Sequence, residues 1–122
     1  MMVGLDKAID EVTSRAQDIL GDDTVVVVSS DNGGSVWYGG MNAPFRSGQV
    51  TPFEGGVRVP AFAVDLSKAK KYLGKGGREF GHMMHISDWL PTFLSWSKSK
   101  HVLNGVKMDG IDQSEVLSVM EG

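Results

Sequence analysis

Thr24-Val25-Val26-Val27-Val28-Ser29-Ser30-Asp31-Asn32-Gly33-Gly34 sets four consecutive valines directly before a carboxylate, an amide and two glycines. A β-branched run without polar alternation predicts a strand over residues 24–28 covered on both faces, because both sides of the pleat then carry apolar groups. The polar tetrapeptide stands where that strand leaves the sheet, the position at which α/β enzymes place their chemistry. Asp31 and Asn32 offer hard oxygen donors suited to Ca²⁺ or Mg²⁺, and the two glycines let the backbone bend tightly beside an ion. The same four residues also suit an ordinary turn, since Asp and Asn beside Gly readily bond to their own backbone.

Upstream of the strand, Leu5, Ala8, Ile9, Val12, Ala16, Ile19 and Leu20 recur at three- and four-residue steps, with Asp6, Lys7, Asp10, Glu11, Arg15 and Asp18 between them. That spacing predicts an amphipathic helix ended by Gly21-Asp22-Asp23. A helix leading into a buried strand implies an α/β layer fold. Met1 and Met2 run into the periodic pattern with no capping residue ahead of it, the expectation for a helix entered part-way.

Downstream, residues 32–56 show turn chemistry and no periodicity, and a loop of that length is usually functional when ordered. Residues 57–64 read as a second strand, with Val57, Val59, Ala61 and Ala63 alternating against Arg58, Pro60 and Phe62; Pro60 favours an edge or a bulge. Residues 66–81 form a polar excursion. Ser87 or Asp88 can cap a helix over about 88–97 with Pro91 in its first turn and Trp89, Leu90, Phe93, Leu94 and Trp96 on a wide apolar face. Residues 103–122 contain a turn at Asp109-Gly110 and a short apolar-periodic piece ending in Val116, Leu117 and Met120.

The chain has 122 residues, enough for one modest domain and short for an enzyme of several layers. Hydrophobic residues at 41% and charged residues at 22% suit a globular piece and exclude fibrous and disordered classes. Glycine is 16 of 122, nearly twice the typical share of about 7%. Its clusters at Gly33-Gly34, Gly39-Gly40, Gly55-Gly56 and Gly76-Gly77 mark turns and close backbone approaches. A formal charge of −3 argues against nucleic acid or an anionic membrane as partner, both of which need a concentrated basic surface. The lysines between residues 68 and 100 read as solvated loop. With no cysteine there is no disulfide and no thiolate nucleophile within these residues. No secretory leader is visible at the start, and the longest apolar run is far too short for a membrane span.

Four blocks in order, Met2 to Ile9, Ser29-Ser30-Asp31-Asn32-Gly33-Gly34, Glu54-Gly55-Gly56-Val57-Arg58-Val59-Pro60 and His85-Ile86-Ser87-Asp88-Trp89-Leu90-Pro91-Thr92, resemble the sulfatase family, nearest its arylsulfatase B-like members. The resemblance covers nearly the whole chain and matches a middle-to-C-terminal part of the catalytic domain, so that residues 1–122 form one partial domain. It implies an α/β fold of the alkaline phosphatase type, a mixed sheet flanked by helices, present here only in part. It implies one Ca²⁺ for which Asp31 and Asn32 are the matching ligands, and a formylglycine nucleophile made from a cysteine. The remaining ligands and the nucleophile belong upstream of the matched segment. Two protein ligands fall short of the six to eight oxygens Ca²⁺ takes.

A lysine that binds the sulfate stands, in the family, five residues before the glutamate of the Glu-Gly-Gly block; here that position is Gln49. A lysine about 4 Å from an anion contributes a few kcal/mol at a partly screened site, a neutral hydrogen bond roughly 0.5–1.5 kcal/mol. Arg46 is the nearest cation able to compensate, although a loop salt bridge is its simpler reading. Glu54 and Arg58 suit a mutual pair that holds the loop. His85 suits a structural place ahead of a packing helix, His82 and His101 suit solvated loops, and Trp89, Phe93 and Trp96 suit core packing.

These readings predict a fragment of a Ca-dependent, arylsulfatase-type hydrolase of sulfate esters, inactive alone. The alternative is a catalytically dead sulfatase-like module that binds a sulfated glycan or a protein partner. A phosphoester hydrolase of the same superfamily fits the Glu54 and His85 blocks less well. By family resemblance the setting is lysosomal or secreted. Strands and helices cut from their neighbours leave apolar surface uncovered, so the isolated chain is expected to aggregate or stay partly molten.

Overall fold

The computed structural model describes residues 2–99 and 105–119. The elements run α1 (Met2–Leu20), β1 (Val25–Ser29), a 3₁₀ turn (Val36–Tyr38), α2 (Glu54–Val57), β2 (Ala61–Asp65), a second 3₁₀ turn (Ile86–Asp88), α3 (Trp89–Trp96) and α4 (Ser114–Val119). β1 and β2 pair as a two-stranded sheet. Leu66 N donates to Thr24 O at 3.0 Å beyond one end and Ser30 N donates to Pro60 O at 3.2 Å beyond the other, so the strands run antiparallel. The described residues are thus mixed α/β.

The chain divides into two compact units, Met1–Val26 with Val64–Gly122, and Val27–Ala63. In the first, α1 has the amphipathic pattern of its sequence and closes at Gly21, whose φ of +66° is the left-handed conformation that ends helices. Gly21 N donates to Gln17 O at 3.0 Å. Asp22 pairs with Lys68 at 3.1 Å, and Asp23 binds both the Lys71 ammonium and the Tyr72 hydroxyl. Lys71, then Tyr72, hold the Asp23 carboxyl below its ordinary range. Part of the lysine cluster is therefore paired with acids that follow α1.

Two buried carboxylates organise this first unit. Asp65 Oδ1 accepts from Ser67 N at 2.8 Å and Asp65 Oδ2 accepts from Tyr72 N at 2.8 Å and Leu73 N at 3.2 Å, folding residues 66–73 around one side chain. Asp88 Oδ2 accepts from His85 N and Asp88 Oδ1 from Ile111 N, each at 2.8 Å, which ties the start of α3 to the segment before α4. Thr92, fully buried, donates to Asp88 O at 2.6 Å and accepts from Gln113 N at 3.0 Å. Trp89 stacks on Phe93 at 5.4 Å between centroids, and Trp96 meets Phe93 at 6.0 Å and Tyr72 at 5.8 Å, the packing role expected of these rings.

The structure corrects the sequence reading in two places. Residues 57–64 are not one strand: Glu54–Val57 is a helical turn, and the strand is Ala61–Asp65. Arg58 N donates to Glu54 O at 2.9 Å, which closes the turn, and Pro60, lacking an N–H, precedes the strand and enters the pairing through its carbonyl. The valines of β1 are half-buried, not covered on both faces. Among the described residues no aliphatic or aromatic side chain reaches full burial; the buried positions are glycines, Pro91 and hydrogen-bonded polar groups.

Candidate functional site

The unit Val27–Ala63 holds the Asp31-Asn32-Gly33-Gly34 corner and the glycine-rich segments that fix it. β1 ends at Ser29, and Ser30 Oγ donates to Asn32 O at 2.9 Å, turning the chain immediately after the strand. Asp31 is exposed, and its Oδ1 accepts from Asn32 N at 2.9 Å. Asn32 Nδ2 donates to Gly33 O at 3.0 Å, which orients the amide and leaves its Oδ1 without a hydrogen bond among the described residues. Asp31 Oδ2 is equally unengaged there. A carboxylate and an amide oxygen with open lone pairs at one turn fit a hard cation such as Ca²⁺, as two members of a larger ligand set.

Glycines hold that turn because nothing larger fits. Gly33 N donates to Gly56 O at 2.9 Å, and a Cβ on Gly33 would lie 1.7 Å from Gly55 O. A Cβ on Gly55 would meet Ser47 O at 2.2 Å, and one on Gly56 would meet Thr51 O at 2.3 Å. The Asp31 block and the Glu54 block, 23 positions apart, thus form one backbone junction.

Asn42 has a bridging role that its sequence did not announce. Its Oδ1 accepts from Gly34 N at 2.9 Å, and its Nδ2 donates to Gly34 O at 2.8 Å and Ser47 O at 3.1 Å. A side-chain amide that mimics a strand partner in this way satisfies backbone groups the loop would otherwise leave open. Its signal in the sequence, one Asn in a segment rich in turn residues, is too common to single it out.

Gln49 sits on the same junction, its backbone N donating to Gly34 O at 3.3 Å. On either side of Gly48-Gln49, Ser47 and Val50 adopt left-handed φ values of 67° and 65°. For a β-branched valine that conformation is an outlier, and such strain costs about 1–3 kcal/mol where a loop is held for a purpose. Arg46 forms no ion pair among the described residues; its guanidinium lies 4.0 Å from the centroid of the Phe53 ring, so the loop salt bridge expected for it is absent. Glu54 and Arg58 do pair, at 3.2 Å, with the Arg58 guanidinium 4.8 Å from the Phe45 ring.

The two described histidines have contacts of their own. His85 caps the 3₁₀ turn Ile86–Asp88: its Nδ1 accepts from Ser87 N at 3.3 Å and lies 2.8 Å from Ser87 Oγ, a structural task. His82 is exposed beside Phe80, with centroids 5.5 Å apart. His101 lies outside the described residues. No group of three or more His, Cys, Asp or Glu side chains that could hold a metal exists among the described residues.

A family model described as Sulfatase matches residues 1–99. The chain belongs to the sulfatase family. It is 32% identical to mouse arylsulfatase J over 119 residues, 97% of this chain and 19% of that protein. It is 31% identical to bovine arylsulfatase A over 121 residues, 95% of this chain and 22% of that protein. A shorter stretch of 64 residues, 48% of the chain, is 41% identical to 12% of human N-acetylgalactosamine-6-sulfatase. The chain spans about a fifth of the length of the relatives it matches end to end. Among its described residues no helix is long and apolar enough to cross a membrane.

Proposed function

We propose that these residues form the metal and anion-facing corner of an arylsulfatase-type hydrolase with the alkaline phosphatase fold. The observation that carries this reading is the glycine junction. It fixes the main chain just after Asp31 and Asn32 at the end of β1 and ties the Gln49 backbone to Gly34. Asp31 would give Ca²⁺ a carboxylate oxygen and Asn32 an amide oxygen. The ion would supply positive charge that polarises sulfate oxygens. Both side chains are already oriented by local hydrogen bonds, so little ordering cost accompanies ligation. A lysosomal or secreted setting is part of the same reading and rests on family resemblance.

The 122 residues contain no cysteine, and so no source for a formylglycine of the usual kind. The isolated chain is therefore expected to leave a chromogenic aryl sulfate intact in the presence of Ca²⁺. Robust hydrolysis by the purified chain would overturn the half-site reading. A second reading, a dead module that holds a sulfated glycan, is favoured by Gln49 at the lysine position. It requires salt-sensitive binding of heparin-like oligosaccharides, and a flat calorimetric titration removes it.

A further inference from the structure

Asn32-Gly33 is one of two Asn-Gly pairs in the chain, the other being Asn104-Gly105. In such a pair the side-chain amide carbon and the next backbone nitrogen are near enough to react, and a glycine has no Cβ to hinder the approach. Asn32 is half-buried, and its Nδ2 donates to Gly33 O at 3.0 Å. The amide is thus folded forward over the residue that carries the reacting nitrogen.

That nitrogen is what the structure withholds. Gly33 is buried, and its N–H donates to Gly56 O at 2.9 Å. Its surroundings leave little play: Gly55 O lies 1.7 Å from the place of a Gly33 Cβ, and Asn42 grips both the N–H and the carbonyl of Gly34. An N–H given to a carbonyl neither loses its proton readily nor turns its nitrogen towards the amide carbon. Reaction therefore waits on local opening of the junction.

We infer that Asn32 is a site of spontaneous deamidation and that the Gly33–Gly56 hydrogen bond is the gate that sets its rate. When the junction opens, Gly33 N gives up its proton and bonds to Asn32 Cγ. The Cγ–Nδ2 bond then breaks, and Nδ2 takes up a proton and leaves as ammonia. Water opens the resulting succinimide in one of two ways. Cleavage of the new N–Cγ bond leaves an aspartate, and cleavage between Gly33 N and the Asn32 backbone carbonyl leaves an isoaspartate; no oxidant or reductant takes part. Isoaspartate lengthens the main chain by a methylene just where Gly33 packs on Gly55 without room to spare, so the junction cannot close again. Either product sets a second carboxylate beside Asp31. The inference goes beyond the sulfatase reading and needs neither ion nor ester.

The test incubates the full 122-residue chain at mildly alkaline pH, folded and in guanidinium chloride, with circular dichroism as the check on folding. Tandem mass spectrometry of its peptides separates Asn32 from Asn104, and isoaspartyl methyltransferase labelling counts isoaspartate. Deamidation of Asn32 is expected to be slower in the folded chain on the order of tenfold or more. Gly56→Ala leaves the Asn-Gly pair intact but sets a Cβ 2.3 Å from Thr51 O, and it should restore most of the unfolded rate. Hydrogen exchange at the Gly33 amide requires the same opening, so its protection should match the slowing of deamidation to within about threefold. Equal rates in the folded and unfolded wild-type chain overturn the inference. So does a folded Gly56→Ala chain that reacts no faster than wild type, or an Asn32 that stays intact while Gly33 exchanges freely. If Gly56→Ala fails to fold, Asn42→Ala, which frees Gly34, takes its place with the same expectation.

Discussion

Gly33 and Gly55 pack so closely that a Cβ on the first would lie 1.7 Å from the carbonyl oxygen of the second. No rotamer relieves such an overlap, because both partners are main chain. Gly33→Ala must push the Asp31 turn away from the Glu54 turn, at a cost of about 1–3 kcal/mol or more. Faster amide exchange at Gly33 and Gly55, with α3 unaffected, is the expected signature; exchange rates equal to wild type would show that the junction is loose.

Asp31→Asn keeps the shape of the corner and removes its negative charge. If Asp31 and Asn32 ligate Ca²⁺, calorimetry should find weak binding by the wild-type chain, with Kd on the order of 10⁻³ M for so incomplete a ligand set, and none by the variant. Equal heats from the two chains would exclude a metal role for this turn.

Asp88 and Asp65 carry the acid sensitivity of the first unit. Hydrogen bonding from Ile111 N, aided by His85 N and opposed by burial, holds Asp88 below the ordinary carboxylate value near 3.8. For Asp65 burial pushes upward, and hydrogen bonds from Ser67, Tyr72 and Leu73 outweigh it. A depressed folded-state pKa gives stabilisation that is complete above the unfolded value and lost as pH falls through the folded one. Protection of the Ile111 and Gln113 amides should therefore stay level down to about pH 4 and drop below it. Asp88→Asn should lose about 1–3 kcal/mol at neutral pH and flatten that drop; a variant that keeps the wild-type acid profile would place the sensitivity elsewhere.

Leu5, Val12 and Ile19 lie 54%, 63% and 74% exposed on α1. Replacing all three with lysine should change amide protection in α3 by less than about 0.5 kcal/mol, as expected for surface positions, while lowering light scattering on concentration. Loss of protection in α3 would show instead that the stripe packs within this chain.

What was legible in the sequence and what was not divides by range. The three-to-four spacing of α1 and the valines of β1 declare their structure locally, because side-chain period alone matches a helix or a pleat. The segment 57–64 misled because its alternation imitates a strand, whereas Glu54 O captures Arg58 N and delays the strand until after Pro60. Arg46 misled in another way: charge suggested an acid partner, and the ring of Phe53 supplied the contact.

The sequence by itself determined the family and the mixed α/β class, and it set a carboxylate and an amide at the end of β1, since these depend on residue type and order. Only the tertiary structure decided that Gly33 meets Gly55, that Asn42 bridges Gly34 and Ser47, and that Gln49 and Arg46 share the corner with Asp31. Those facts rest on hydrogen bonds and close approaches that end on main-chain groups of other segments. Every residue except proline offers the same N–H and C=O, so no pattern of side chains announces which of them will pair.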